Sequence, residues 1–376
     1  MRTTFLPGPD LNIPLLGFGC MRLPTAGGYG DIDEPAAQAM IDRAMENGIN
    51  YFDTAWPYHE GKSESFLAKA LRKYPRESYF LATKLPIWEI SKPEDVEKYF
   101  SRQLEKCGVE YFDFYLVHNL NKQHYDIMVQ NMAYGQLMAK KHQGKIKSLG
   151  FSFHDEPYML EEICNAFKWD FAQIQLNYVD WKDIEAEKLY ETLTRRNIPA
   201  IIMEPVRGGA LASLCPQSAE MLSKERPGAS LASWALRYAG SLPGVLTVLS
   251  GMSSMEQLDD NIKTFTNFEP LSDAEHELLE KAADVFRKSG SIGCTSCQYC
   301  VPCPFNVDIP RILSFYNHYS RSKNWYAFTT LYCTMPKSEQ AHNCVDCGAC
   351  LPKCPQSLPI PELMGKIAAF AKEGGM

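Results

Sequence analysis

The sequence predicts an α/β chain: a closed parallel (β/α)8 TIM barrel followed by a smaller, mainly helical, cysteine-rich domain. Two observations carry the prediction. Through the earlier part of the chain, eight short apolar runs alternate with eight segments of helical spacing. That many strand–helix units fit the ~250 residues of such a barrel. Nine of the thirteen cysteines then crowd into the last 83 of the 376 residues. Cys20, Cys107, Cys164 and Cys215 are scattered singly before them. An open doubly wound sheet is the alternative, but no G-x-G-x-x-G follows the first strand, and "GFGC" at 17–20 is too short to serve.

The predicted strands are "LLGFG", "INYFD", "SYFLATK", "YFDFYLVH", "IKSLGFS", "FAQIQLN", "PAIIM" and "GVLTVLS". Short, almost wholly apolar runs of this kind suit strands buried on both faces. Helices are expected over 34–47, 62–73, 92–107, 125–143, 156–167, 185–197, 228–239 and 254–265. Ser91 with Pro93 marks a start, and Gly48 and Gly108 mark stops. "LSDAEHELLEKAADVFRKSG" reads as a connecting helix, with Ser272 and Glu275 forming a capping box and Gly290 ending it. The expected domains are therefore the barrel at 1–271 and the connecting helix with the cysteine-rich tail at 272–376.

The net charge of -7 and pI near 5.7 argue against a nucleic-acid or anionic membrane surface. No stretch approaches the ~20 apolar residues of a membrane span. The opening "MRTTFLPGPDLNIP" lacks the apolar core of a secretory signal, so the expected location is cytoplasmic. Thiols stay reduced there, and clustered cysteines then point to metal rather than to disulfides.

The tail repeats itself. Cys294, Cys297, Cys300 and Cys303 precede Pro304; Cys344, Cys347, Cys350 and Cys354 precede Pro355. The first three cysteines of the two sets are offset by 50 residues. The second set is the C-x2-C-x2-C-x3-C-P run of bacterial-type ferredoxins, and the first is one residue shorter before its last cysteine. A loop with cysteine at every third position can hold three corners of a [4Fe–4S] cube, and in two-cluster ferredoxins the Cys-Pro of one motif ligates the other cluster. The expected ligand sets are thus Cys294, Cys297, Cys300 and Cys354 for one cluster, and Cys344, Cys347, Cys350 and Cys303 for the other. A pair of zinc sites is the alternative. Cys333 is left over and reads as a buried thiol. The insert 311–343 reads as one or two helices packed over the clusters.

In such barrels the chemistry sits at the C-terminal ends of the strands. Those ends carry Asp53 after "INYF", Lys84 after "YFLAT" and His118 after "FDFYLV", with Tyr58 in the loop behind Asp53. On these residues the chain resembles the aldo-keto reductase family, over about residues 3–268. "NYFDTAWPYHEGKSE" is similar to the family's signature after the second strand, and "ATK" and "FYLVHN" carry the next two members. The resemblance implies a catalytic tetrad of Asp53, Tyr58, Lys84 and His118, all present. Carbonyl reduction places negative charge on oxygen as hydride arrives, so a proton donor is needed. Tyrosine's ordinary pKa near ~10 is too high for easy donation, and a neighbouring ammonium lowers it. Lys84 is that ammonium and Asp53 holds it. His118 orients and polarises the carbonyl.

The resemblance also implies a nicotinamide site at Ser152 and Gln173, with Met203 where relatives often stack an aromatic ring. Arg207 and Gly208 in "VRGGAL" suit a cofactor phosphate, as do Gly251, Ser253 and Ser254 at a helix start, with Gln257 following and Asn261 on the adenine side. NADP-preferring relatives carry basic residues where this chain has Gly251 and Gln257, so NAD and NADP both stay open. A nicotinamide moves two electrons together and a cluster moves one, which makes a flavin a further candidate. The expected function is an oxidoreductase acting on a small carbonyl or alcohol substrate, carrying two [4Fe–4S] clusters for electron transfer, with an electron-transfer protein as a candidate partner. The alternative is a non-catalytic redox sensor or nucleotide-binding subunit whose clusters are structural or regulatory.

Overall fold

A computed structural model describes residues 1–6 and 11–373. The chain packs as two compact units, one of residues 1–205 and 235–271, the other of residues 206–234 and 272–376.

The first unit opens with an antiparallel hairpin of β1 (Thr3–Leu6) and β2 (Leu11–Pro14). Eight parallel strands follow: β3 (Leu16–Gly19), β4 (Tyr51–Asp53), β5 (Phe80–Leu85), β6 (Phe112–Leu120), β7 (Ile146–Phe153), β8 (Phe171–Gln175), β9 (Ala200–Met203) and β10 (Val245–Gly251). They close a barrel in sequence order, with β10 pairing back on β3. Every predicted strand is present. The hairpin was not foreseen. Its Leu6 and Ile13 pack with Tyr51, Phe114, Phe171 and Leu246 in one apolar cluster.

Helices lie where their caps dictate. Glu94–Cys107 has Glu94, Asp95 and Glu97 in its first turn and Lys106 in its last, each complementing the helix dipole. Gly108 ends it at φ 63, a left-handed position that a side chain would strain. The single helix expected over 125–143 is instead two, Lys122–Gln130 and Ala133–His142. Asn131 caps the first through its own amide, donated to Ile127 O at 2.9 Å, and Met132 turns left-handed at φ 53.

The second unit is mainly helical. Its segment 206–234 includes the helix Pro216–Glu225, which lies on the helix Asp273–Lys288: Ser218 Oγ donates to Ala282 O at 2.9 Å, and Arg226 pairs with Glu275. Glu275 also closes the predicted capping box with Ser272. The helices Ile309–Ser322, Trp325–Cys333 and Ile360–Glu373 build the core around Leu313, Phe328, Tyr332 and Met364. Phe370 packs against Trp325, Tyr319 and Phe328 at ring separations of 4.6, 4.8 and 5.2 Å. Cys294, Cys300, Cys303, Cys344, Cys350 and Cys354 pack onto this core. Cys333, read as a buried thiol, is exposed at the end of its helix. Among the described residues no helix is long and apolar enough to cross a membrane.

Candidate active site and cluster-binding loops

The strand register brings the four predicted residues to one end of the barrel. Asp53 ends β4, Lys84 lies near the end of β5, His118 near the end of β6, and Tyr58 follows in the loop after β4. All four are buried. Lys84 Nζ donates to Asp53 Oδ1 at 2.6 Å and to Thr54 O at 2.8 Å, and stands 3.5 Å from Tyr58 OH. The buried Lys84 side chain is thus held between the Asp53 carboxylate and the Tyr58 phenol. Burial pushes the Asp53 carboxyl up, and Lys84 pulls against it. The His118 ring stands edge-on to Tyr58 with centroids 6.2 Å apart. Burial holds His118 well below the ordinary imidazole range, and the Lys84 charge adds to the effect. The ring is therefore neutral at pH 7 and can donate one N–H.

Local backbone fixes these positions. His118 lies within a register shift in the β6–β7 ladder, between Val117 and Leu120. Asn119 there is left-handed, φ 57, and its N–H donates to Ser152 Oγ at 2.7 Å. The Tyr58 loop is pinned by His59, whose Nε2 accepts from Leu23 N–H at 3.2 Å while Nδ1 donates to Tyr29 O at 2.7 Å. Both ring nitrogens are thereby assigned in a neutral imidazole.

The predicted nicotinamide residues also converge. Ser152 pairs with Gln173 across β7 and β8, and Gln173 Nε2 lies 3.6 Å from Met203 Sδ. Gln173 Oε1 is buried and has no hydrogen-bond partner among the described residues. At the end of β10, Ser254 caps the helix Met255–Thr266. Ser253 N–H donates to Gln257 Oε1 at 2.8 Å, and Asn261 Nδ2 donates to Ser250 Oγ at 2.8 Å. Gln257 is thus engaged in local capping, and Asn261 spends a donor on β10. Arg207 and Gly208 lie in the second unit, against residues flanking Cys294.

The eight cysteines line two cavities. One cavity is lined by Cys294, Cys297, Cys300 and Cys354. The other is lined by Cys303, Cys344, Cys347 and Cys350, with Cys300 at its edge. Burial pushes the Cys300 thiol up, and the neighbouring charges that act on it are those of Cys297, Cys294 and Cys354. Burial likewise raises Cys350, with Cys344, Cys347 and Cys303 as neighbours. The backbone repeats with the sequence. Ser296 and Gln298 have φ 53 and 69, and Asp346 and Gly348, 50 residues on, have φ 55 and 70. These left-handed turns let the chain coil around a body and turn its N–H groups inward, and Ser296 N–H lies 3.4 Å from Cys294 Sγ.

The Aldo/keto reductase family profile matches residues 15–284. The chain belongs to the aldo/keto reductase family. A 4Fe-4S dicluster domain profile matches residues 293–358. Among curated proteins, the chain is similar to an L-galactose dehydrogenase of Arabidopsis thaliana, 27% identical over 302 residues that span 74% of this chain and 92% of the relative. It is also similar to an NADH-specific methylglyoxal reductase of Escherichia coli (strain K12), 23% identical over 329 residues that span 74% of this chain and 97% of that one. Among solved structures, the holo form of an aldo-keto reductase from Bacillus halodurans matches with a TM-score of 0.62 and 25% identity, over 75% of this chain and 96% of that chain. This aldo/keto reductase is therefore an oxidoreductase with an added iron–sulfur domain, and its family is one of nicotinamide cofactors.

Two residues escaped sequence reasoning. Arg22, in the turn after β3, lies along Gly251, so that a Cβ on Gly251 would stand 2.8 Å from Arg22 Cδ. Its guanidinium pairs with Glu204 Oε1 at 2.8 Å. Arg22 is far from Gly251 in the chain, and barrel closure brings them together by setting Gly19 opposite Gly251. Trp88, in the turn after β5, stands 5.0 Å from the His118 ring and 6.0 Å from that of His124. It forms a half-buried aromatic wall beside the tetrad.

Proposed function

We propose that this aldo/keto reductase reduces a small carbonyl compound, or oxidises the corresponding alcohol, with Tyr58 as proton donor. We propose also that its tail holds two [4Fe–4S] clusters that exchange single electrons with a partner protein in the cytoplasm. The observation that carries the first part is the Lys84 ammonium, 2.6 Å from Asp53 and 3.5 Å from the Tyr58 hydroxyl in a water-poor site. As charge develops on the carbonyl oxygen, Tyr58 gives up its proton, and Lys84 stabilises the phenolate left behind. Asp53 pairs with Lys84 and keeps it aimed. His118, neutral, donates its N–H to the same oxygen and adds no positive charge beside Lys84. In the oxidative direction Tyr58 takes the proton back.

A bound nicotinamide supplies or accepts the hydride. Ser152, the orphaned Gln173 Oε1 and Met203 are the residues that would hold its ring, and the capped helix Met255–Thr266 with Arg22 would face its phosphates. NAD and NADP are both compatible with a cation already paired to Glu204. The clusters supply one-electron transfer, and a flavin or similar group is needed to join that to hydride chemistry.

Tyr58→Phe is expected to cut carbonyl reduction by about 10²–10⁴-fold, the ordinary worth of general acid catalysis, while leaving nicotinamide affinity unchanged in a fluorescence titration. Wild-type turnover in this variant would overturn the assignment. For the tail, anaerobically purified protein is expected to carry about eight irons per chain. Zinc, or about four irons, would overturn the crossed ligand sets.

A further inference from the structure

We infer that Gly208 is a positioning residue for the first cluster rather than a phosphate-binding residue: its missing side chain lets the Cys294 turn lie against the loop 206–212. The inference rests on the reading that the first cysteine set holds a cluster. A Cβ on Gly208 would stand 2.3 Å from Thr295 O, 2.6 Å from its C and 2.7 Å from its Cα. These are backbone atoms and cannot swing aside as the tip of a side chain can. The face that a cofactor phosphate would approach is therefore filled by the residue that follows Cys294. Thr295 is buried and lines the cavity of the first set.

The contact brackets Cys294 on both sides. A Cβ on Gly293 would stand 3.3 Å from Arg207 Nη2. Consecutive residues Arg207 and Gly208 thus pack against consecutive neighbours of one ligand, Gly293 and Thr295. Displacing Thr295 by even an ångström would move Cys294 out of reach of an iron, because metal–thiolate bonds tolerate only about 0.2 Å. All of these residues belong to the second unit.

Gly209 provides an internal control. It too is left-handed, φ 89, but a Cβ there would meet nothing within 4 Å. Gly208, φ 62, differs from it in the contact and not in the sign of φ. Asparagine tolerates a left-handed backbone yet carries a Cβ, so Gly208→Asn separates the contact from backbone strain.

Gly208→Ala, Gly208→Asn and Gly209→Ala would each be purified anaerobically. Both Gly208 variants are expected to fall from about eight irons to about four, with Gly209→Ala keeping both clusters. The reduced Gly208 variants should show the paramagnetic resonance spectrum of one isolated cluster in place of two interacting ones. Adding Cys347→Ser should abolish that remaining signal, identifying it as the second cluster. Nicotinamide binding in the same preparations should be unchanged. Retention of both clusters in Gly208→Ala, equal loss in Gly209→Ala, or weakened nicotinamide binding in a Gly208 variant would each overturn the inference. Failure of the underlying cluster reading is distinguishable, since the unsubstituted chain would then lack eight irons.

Discussion

Lys84 is where the barrel concentrates its electrostatic risk. It is 1% exposed, and among the described residues its one carboxylate partner is Asp53, itself 3% exposed. Removing one member of a buried pair strands the other, at a cost of about 3–5 kcal/mol, whereas replacing both with apolar residues is often neutral. Lys84→Met is therefore expected to lose carbonyl reduction and to destabilise the chain by about that amount in urea titrations. Lys84→Met with Asp53→Leu should recover most of the stability and none of the activity. Equal stability of the single and double variants would show that the pair is not the strained element we take it to be. At this scale the gathering of the four residues was legible because Asp53, Lys84 and His118 fall on adjacent strand ends and Tyr58 lies in the loop behind the first of them. Arg22 was not legible. Its neighbour Gly251 lies at the far end of the barrel sequence, and only closure joins them.

Among the elements, β5 depends on a polar network beneath the site. Gln103 Nε2 donates to Glu64 Oε1 at 2.7 Å and to Lys84 O at 3.0 Å, and Gln103 Oε1 accepts from Tyr115 OH at 2.6 Å. Thr83 Oγ1 adds a bond to Glu64 Oε1 at 2.7 Å, and Lys106 pairs with the other carboxylate oxygen at 2.8 Å. Gln103 has no exposure, so its loss leaves several groups unsatisfied, each worth about 1–3 kcal/mol. Gln103→Leu is expected to lower the unfolding midpoint clearly and to reduce turnover more than nicotinamide affinity, through Lys84. An unchanged midpoint would mean that the network is dispensable. The strands and most helices could be read from apolar runs and caps. The break at Met132 could not, because the apolar spacing continues across it and only the Asn131 cap interrupts the helix. The repeat in the tail was legible in its cysteines. Its left-handed positions at Ser296 and Gln298 were not, since these are residue types that seldom announce such a turn.

Across the whole chain, histidines that are buried or half-buried set the response to acid. Burial, with His124 nearby, lowers His154 to about 4. Burial lowers His118 and His59 as well. In the unfolded chain such groups titrate near ~6.5. Between those values the unfolded chain binds more protons than the folded one, so stability is full above about pH 6.5 and falls as pH drops toward about 4. Urea midpoints should decline from pH 7 to pH 5, and His154→Asn should flatten part of the decline. A midpoint independent of pH in this range would contradict the burial of these rings. The addition of a cysteine-rich domain to the barrel was legible because the cysteines are so unevenly spread. The packing of residues 206–234 with the tail was not, because no periodicity or charge pattern marks the approach of Gly208 to Thr295.

In our proposal one chain couples hydride chemistry at Tyr58 to one-electron clusters through a mediator. Anaerobic rapid mixing of the protein with NADH or NADPH, following cluster absorbance with and without added flavin, tests this coupling. Negligible bleaching by nicotinamide alone is expected, with bleaching at a rate comparable to turnover once flavin is present. Bleaching by nicotinamide alone at the turnover rate would remove the need for a mediator. Absence of bleaching under every condition, with carbonyl reduction intact after Cys297→Ser and Cys347→Ser, would contradict the coupling and leave the clusters as structural elements.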